Sequence, residues 1–133
     1  MKLIECVPNF SEGRNKSKID DIVSSIKENS NCSILDIDMG FDTNRTVVTI
    51  VGSPSDVLRG VFYGIKKASK IIDMRDHSGS HPRIGSTDVC PIIPINNVSE
   101  EECIELSLKL GKRLGEELGI PIFLYEKSSE ISY

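Results

Sequence analysis

"NCSILDIDMGFDTNRTVVTIVGSPSD", residues 31–56, decides the fold class of this chain. The first ten residues are predicted as a strand. Strict alternation puts Cys32, Ile34, Asp36 and Asp38 on one face and Ser33, Leu35, Ile37 and Met39 on the other. "NRTVVTIVG" is β-branched and closed by Gly52, so it reads as a second strand. The short "GFDT" between them predicts an antiparallel hairpin or a near neighbour. Ser53, Pro54 and Asp56 then mark a helix start: a cap residue, a proline at the first helical position and an acid in the first turn. Val57, Val61, Ile65, Ala68 and Ile72 continue it as one apolar stripe, widened by Leu58 and Phe62.

Upstream, "KLIECVP" predicts a strand over 2–8 that ends at proline, followed by the polar loop "NFSEGRN". Ser17 and Asp20 resemble a capping box, and Ile19, Ile22, Val23 and Ile26 predict a helix over about 17–28. Downstream, "TDVCPIIPI" is extended, but Pro91 and Pro94 remove ladder donors and predict an edge or irregular strand. Ser99 with Glu102 forms a capping box, Cys103, Leu106, Leu110, Leu114 and Leu118 run at helical spacing, and Gly119 stops the helix. "IPIFLYE" predicts a last strand, and "KSSEISY" a polar tail. The order βαββαβαβ predicts an α+β fold. It is a ferredoxin-like split βαβ arrangement with an added αβ unit, its helices packed on a mixed β-sheet, in one domain spanning 1–133.

The chain's 133 residues, 38% hydrophobic and 27% charged, suffice for one real core and exclude wholesale disorder. A net charge of −4 argues against nucleic acid as a partner, since phosphate binding needs a basic face. A local cationic pocket for a small anion remains compatible with it. The four cysteines, Cys6, Cys32, Cys90 and Cys103, form no CxxC pair. Each sits near apolar residues, which reads as reduced, semi-buried thiols of a cytoplasmic protein. No apolar run opens the chain as a signal peptide would, and no window reaches a transmembrane length, so no membrane partner is expected.

Both histidines of the chain fall in "HSGSHPRIG", residues 77–85. A histidine near neutral pKa carries a proton both ways, which suits moving a group between nitrogens. Pro82 biases His81 toward extended backbone, and Arg83 then shares a face with it, a fitting pair for a carboxylate-bearing substrate. The alternative is a solvated loop whose His and Arg do nothing. Asp36, Asp38 and Asp42 lie close to Asn44 and Arg45. Alternate strand positions would let Asp36 and Asp38 hold a metal, as in a metal-dependent hydrolase, but the rest of an oxygen cage is missing. One aspartate supporting a histidine is the better use. In "PNFSEGRN", Asn9, Ser11 and Arg14 make a candidate anion site near a helix start, set against an ordinary solvated loop.

"ECVPNFSEGRN", "LDIDMGFDTNRTVVTIVGSP", "IDMRDHSGSHPRIGSTDVCPIIPI" and "GKRLGEELGIPIFLYE" together resemble the N-terminal subdomain of the glutamate formiminotransferase family. The resemblance covers nearly the whole chain. It implies a cytoplasmic transferase that moves a formimino group from N-formimino-L-glutamate to N5 of tetrahydrofolate, a step of histidine breakdown. Tetrahydrofolate would be a co-substrate, with no metal. His81 of the "HPR" motif would be catalytic, with Asp38 supporting its charged form, while Arg83, Asn44, Arg45 and Asn9 would line the substrate site. Two departures stand out. Ser80 occupies a position where the family usually carries an acid. The chain also ends before the family's second subdomain, so a homodimer or a partner chain would have to supply it. The competing expectation is a stand-alone subdomain that binds folate or a small anion, or serves as an interaction protein, without turnover.

Overall fold

The structure, a computed structural model, describes residues 1–72, 87 and 91–119. Five strands and three helices follow one another as β1 (Leu3–Cys6), β2 (Asn9–Phe10), α1 (Lys16–Asn29), β3 (Ser33–Gly40), β4 (Arg45–Gly52), α2 (Pro54–Ile71), β5 (Ile92–Asn96) and α3 (Glu100–Leu118). This is an α+β fold. The strand expected in "IPIFLYE" lies outside the described residues.

Strand β4 organises the sheet. One edge pairs with β3 along its whole length, from Ser33↔Val51 to Gly40↔Arg45. The other edge pairs with β1 at its end and β2 at its start. β1 and β2 thus form one line broken at Pro8, which has no N–H to give, although its carbonyl still accepts the Val48 N–H at 3.1 Å. Strand β5 adds to the far side of β1, and every described pairing is antiparallel. Helix α1 therefore joins two strand lines that have β4 between them. Pro94 sits in β5 opposite Ile4, beside a register irregularity, at the edge of the described sheet as its prolines predicted.

All three helices pack on one face of this sheet. Ile4, Cys6, Phe10, Val48, Ile50 and Ile92 meet Ile22 and Ile26 of α1, Val57, Val61 and Ile65 of α2, and Leu110 and Leu114 of α3 in one core. Each fully buried side chain of this size contributes about 1.5–3 kcal/mol. Gly60 and Gly64, one turn apart on α2, bring α1 close. A Cβ on Gly64 would stand 2.8 Å from Cγ1 of Ile26, and one on Gly60 2.9 Å from Sγ of Cys32.

The helix ends follow local chemistry. Ser53 caps α2 with Pro54 behind it, and α3 opens on the reciprocal Ser99–Glu102 capping box and closes on Gly119 at φ 64°. Lys2 reaches Glu102 at 2.9 Å, and this bond holds the Glu102 carboxyl below its usual range. The cap of α1 differs from the expected Ser17. Asn15 fills that place, its side chain accepting from the Lys18 N–H, so Ser17 falls inside the first turn.

The faces of β3 also depart from strict alternation. A bulge between Ile34 and Asp36 leaves Ile34 opposite Ile50 but Asp36 opposite Thr49. Leu35 is the extra residue, 63% exposed, and it switches the side on which later residues project. Ile34 turns to the core, whereas Asp36 and Asp38 share the opposite face.

Cys6 and Cys103 are buried and Cys32 half-buried, all as free thiols, and burial pushes the Cys32 and Cys103 thiols up. Cys90 lies outside the described residues. No helix among the described residues is long and apolar enough to cross a membrane.

Candidate functional site on the far face of the sheet

Alternation along β4 sends Thr46, Val48 and Ile50 to the helices and Arg45, Val47, Thr49 and Val51 to the other face. Val47 pairs with Asp38 on one side and Asn9 on the other. Asp38, Val47 and Asn9 therefore make a row across three strands, with directly opposed Cβ atoms about 4.5–5.5 Å apart. Arg45, opposite Gly40, lies one step along β4 on the same face, and Asp36, opposite Thr49, one step the other way. The sheet thus brings together three residues singled out from the sequence: Asp38, Asn9 and Arg45. Asp36 and Asp38 are exposed, and neither makes a side-chain hydrogen bond or ion pair among the described residues. Asn9 is half-buried, its amide donating to the Val7 carbonyl at 3.3 Å.

Asn44 sits beside this row in the β3–β4 turn, at φ 53°. Its Oδ1 accepts the Gly13 N–H at 2.9 Å, which fastens the 11–15 loop to the hairpin. His77, Ser80, His81 and Arg83 lie outside the described residues. Thr87, six positions after His81, is described. It bridges to Phe10, the neighbour of Asn9, and is 3% exposed, with no hydrogen-bond partner for its hydroxyl among the described residues.

The 11–15 loop is built more tightly than its sequence implies. Ser11 is fully buried, so its hydroxyl faces no solvent-borne anion. The Glu12 carboxylate accepts the N–H groups of Arg14 and Asn15, both at 3.0 Å, and lies 3.8 Å from the Lys18 ammonium. The Glu12 carbonyl accepts the hydroxyl of buried Thr46. Gly13 passes so close to the hairpin that a Cβ would meet the Gly40 carbonyl oxygen at 2.2 Å and the Arg45 nitrogen at 2.5 Å. Sequence reasoning missed Glu12, Gly13 and Thr46. The one available signal was an acid beside a glycine just before a helix.

On the helical side, a groove of about 190 Å³ between α2 and α3 is lined by Ser55, Leu58, Arg59, Lys109, Leu110 and Arg113. It is smaller than an ordinary ligand pocket and is separated from the row by the core. Among the described residues, no group of three or more histidine, cysteine or carboxylate side chains could hold a metal ion. Asp36 and Asp38 therefore remain a pair.

Comparison with known families places the chain as a whole. The model of the formiminotransferase domain, N-terminal subdomain, matches residues 3–132. The chain belongs to this family. As a formiminotransferase N-terminal subdomain, it is 52% identical over 132 residues to a formimidoyltransferase-cyclodeaminase of Dictyostelium discoideum, covering 99% of this chain and 25% of that protein. It is 45% identical over 128 residues to a glutamate formimidoyltransferase of Streptococcus pyogenes serotype M1, covering 96% of this chain and 43% of that one. A glutamate formimidoyltransferase of Thermoplasma acidophilum gives 45% over 130 residues, with coverages of 98% and 43%. The chain thus spans between a quarter and under half the length of these curated relatives.

Proposed function

We propose that this subdomain serves folate-dependent transfer of a formimino group from N-formimino-L-glutamate to N5 of tetrahydrofolate. In this reading the reaction takes place over the far face of the sheet. The observation that carries the reading is the Asp38–Val47–Asn9 row with Arg45 beside it, in a chain matched end to end by the formiminotransferase subdomain. Thr87 supports it further. Its bridge to Phe10 puts it beside Asn9, and His81 comes six positions earlier in the sequence.

The chemistry assigned to these residues is proton management. The N5 lone pair attacks the formimino carbon, and His81 accepts the N5 proton. His81 then protonates the glutamate nitrogen as its bond to that carbon breaks, releasing glutamate and 5-formiminotetrahydrofolate. Asp38 supports the imidazolium between the two transfers. Arg83 and Arg45 take substrate carboxylates, Asn9 offers its polar edge beside Asp38, and Asn44 shapes the wall by holding the loop. Val47, Thr49 and Val51 supply a half-buried strip against which a flat ring can lie. One sheet face cannot enclose two substrates, so a second subdomain completes the cleft. The reading places the protein in the cytoplasm, and the free thiols of Cys6, Cys32 and Cys103 support that placement.

His81→Ala is expected to abolish formimino transfer and leave thermal unfolding within about 0.5 kcal/mol of the parent. Equal turnover in variant and parent would remove His81 from the mechanism. The second reading is a subdomain that binds reduced folate or small anions without turnover. Calorimetric binding of a reduced folate with no transfer would select it.

A further inference from the structure

We propose that Arg14 is the anchor for a substrate carboxylate at the rim of the far-face site, an inference that rests on the transferase reading above. Its Nε donates to the Phe41 carbonyl at 2.9 Å, and its guanidinium carbon lies 5.0 Å from the centroid of the Phe41 ring. Phe41 is 67% exposed in the β3–β4 turn, three residues from Asp38. The backbone of Arg14 is fixed as well. Its N–H is held by Glu12, and the preceding Gly13 is wedged against the hairpin and bonded to Asn44.

Two other surface cations behave differently. Lys16 pairs with Asp20 and Arg113 with Glu117, each one helical turn along its own helix. Arg14 is tied instead to a carbonyl and a ring, neither of which neutralises it, and among the described residues no carboxylate pairs with it. With Nε engaged, the two terminal nitrogens remain as a planar fork directed at solvent. That geometry fits one carboxylate with two parallel hydrogen bonds, and little of the side chain's freedom is left to lose on binding. The ligand class is therefore an alkyl carboxylate. Both proposed substrates carry one, on the glutamate of the donor and on the glutamyl tail of the folate.

Calorimetric titration of the chain with N-formyl-L-glutamate, and separately with 5-formyltetrahydrofolate, tests the proposal and separates the two sources. Arg14→Met is expected to weaken one of the two about ten- to a hundred-fold. Arg14→Lys should recover only part of the loss, because a point charge cannot reproduce the fork. Loss confined to the formylated amino acid assigns Arg14 to the donor, and loss confined to the folate assigns it to the tail. Both variants should keep the parent's thermal midpoint. If the parent binds and both variants bind equally well, the Arg14 assignment is overturned while the transferase reading stands. If the parent binds neither probe, both fall together.

Discussion

Strand β4 presents two faces that differ in almost every respect. Thr46, Val48 and Ile50 are wholly buried under the helices. Val47, Thr49 and Val51 stay half-buried beside the exposed carboxylates of Asp36 and Asp38. The first face holds the fold together and the second carries the groups suited to chemistry. Because neighbouring residues of one strand point opposite ways, the two duties are placed within a few ångströms and can still be altered separately. Thr46 is the exception, since it is buried on the helical side yet ties the 11–15 loop to the sheet.

Three substitutions put this division to the test. Ile50→Ala removes a fully buried side chain at the centre of the core and should cost about 2–5 kcal/mol in urea denaturation, with ligand affinity changed little in the fraction that remains folded. A loss below 1 kcal/mol would mean that the helical face is not where stability resides. Thr46→Val keeps the shape and deletes the bond to the Glu12 carbonyl, leaving a loop acceptor without its donor. A loss of about 1–3 kcal/mol is expected, together with weaker carboxylate binding, because the loop carries Arg14. Lower stability with unchanged binding would show the loop to be purely structural. Asp38→Asn should fall within about 0.5 kcal/mol of the parent in the same denaturation experiment while transfer activity drops. If it destabilised the protein as strongly as Thr46→Val, the far face would be sharing the work of the core.

The sequence made the helical face legible and the far face only partly so. The stripe from Val57 to Ile72, the Ser53 cap, the Ser99–Glu102 box and the Gly119 stop all follow from local chemistry, and the structure has each of them. Such features depend on residues within one or two turns. The bulge at Leu35 depends on the partner strand, so strict alternation wrongly put Ile34 with Asp36. Asn15 displaced Ser17 as a cap because Glu12 captures the two N–H groups just before the helix. For the site, the acidic stretch offered Asp36, Asp38 and Asp42 alike and only the family resemblance singled out Asp38, while the prolines placed "PIIPI" at an edge of the described sheet. What could not be read was that Asn9 and Asp38 lie on opposite sides of the same valine, since that adjacency belongs to the sheet order alone. The roles of Gly13 and Thr46 were hidden for the same reason, each being defined by a partner some thirty positions away.

The bulge at Leu35 divides β3 into two segments of opposite parity. Ahead of it, even-numbered residues belong to the interior, and after it they belong to the exterior. Removing Leu35 alone would close the bulge and let regular alternation carry Ile34 inward and both aspartates outward, opposite the same residues of β4. The strand would be one residue shorter and the chemistry of the face unchanged. The far face is therefore set by the partners on β4 and not by the length of β3, and Leu35, exposed and outside the ladder pairing, is a position the strand can lose without moving the residues after it off those partners.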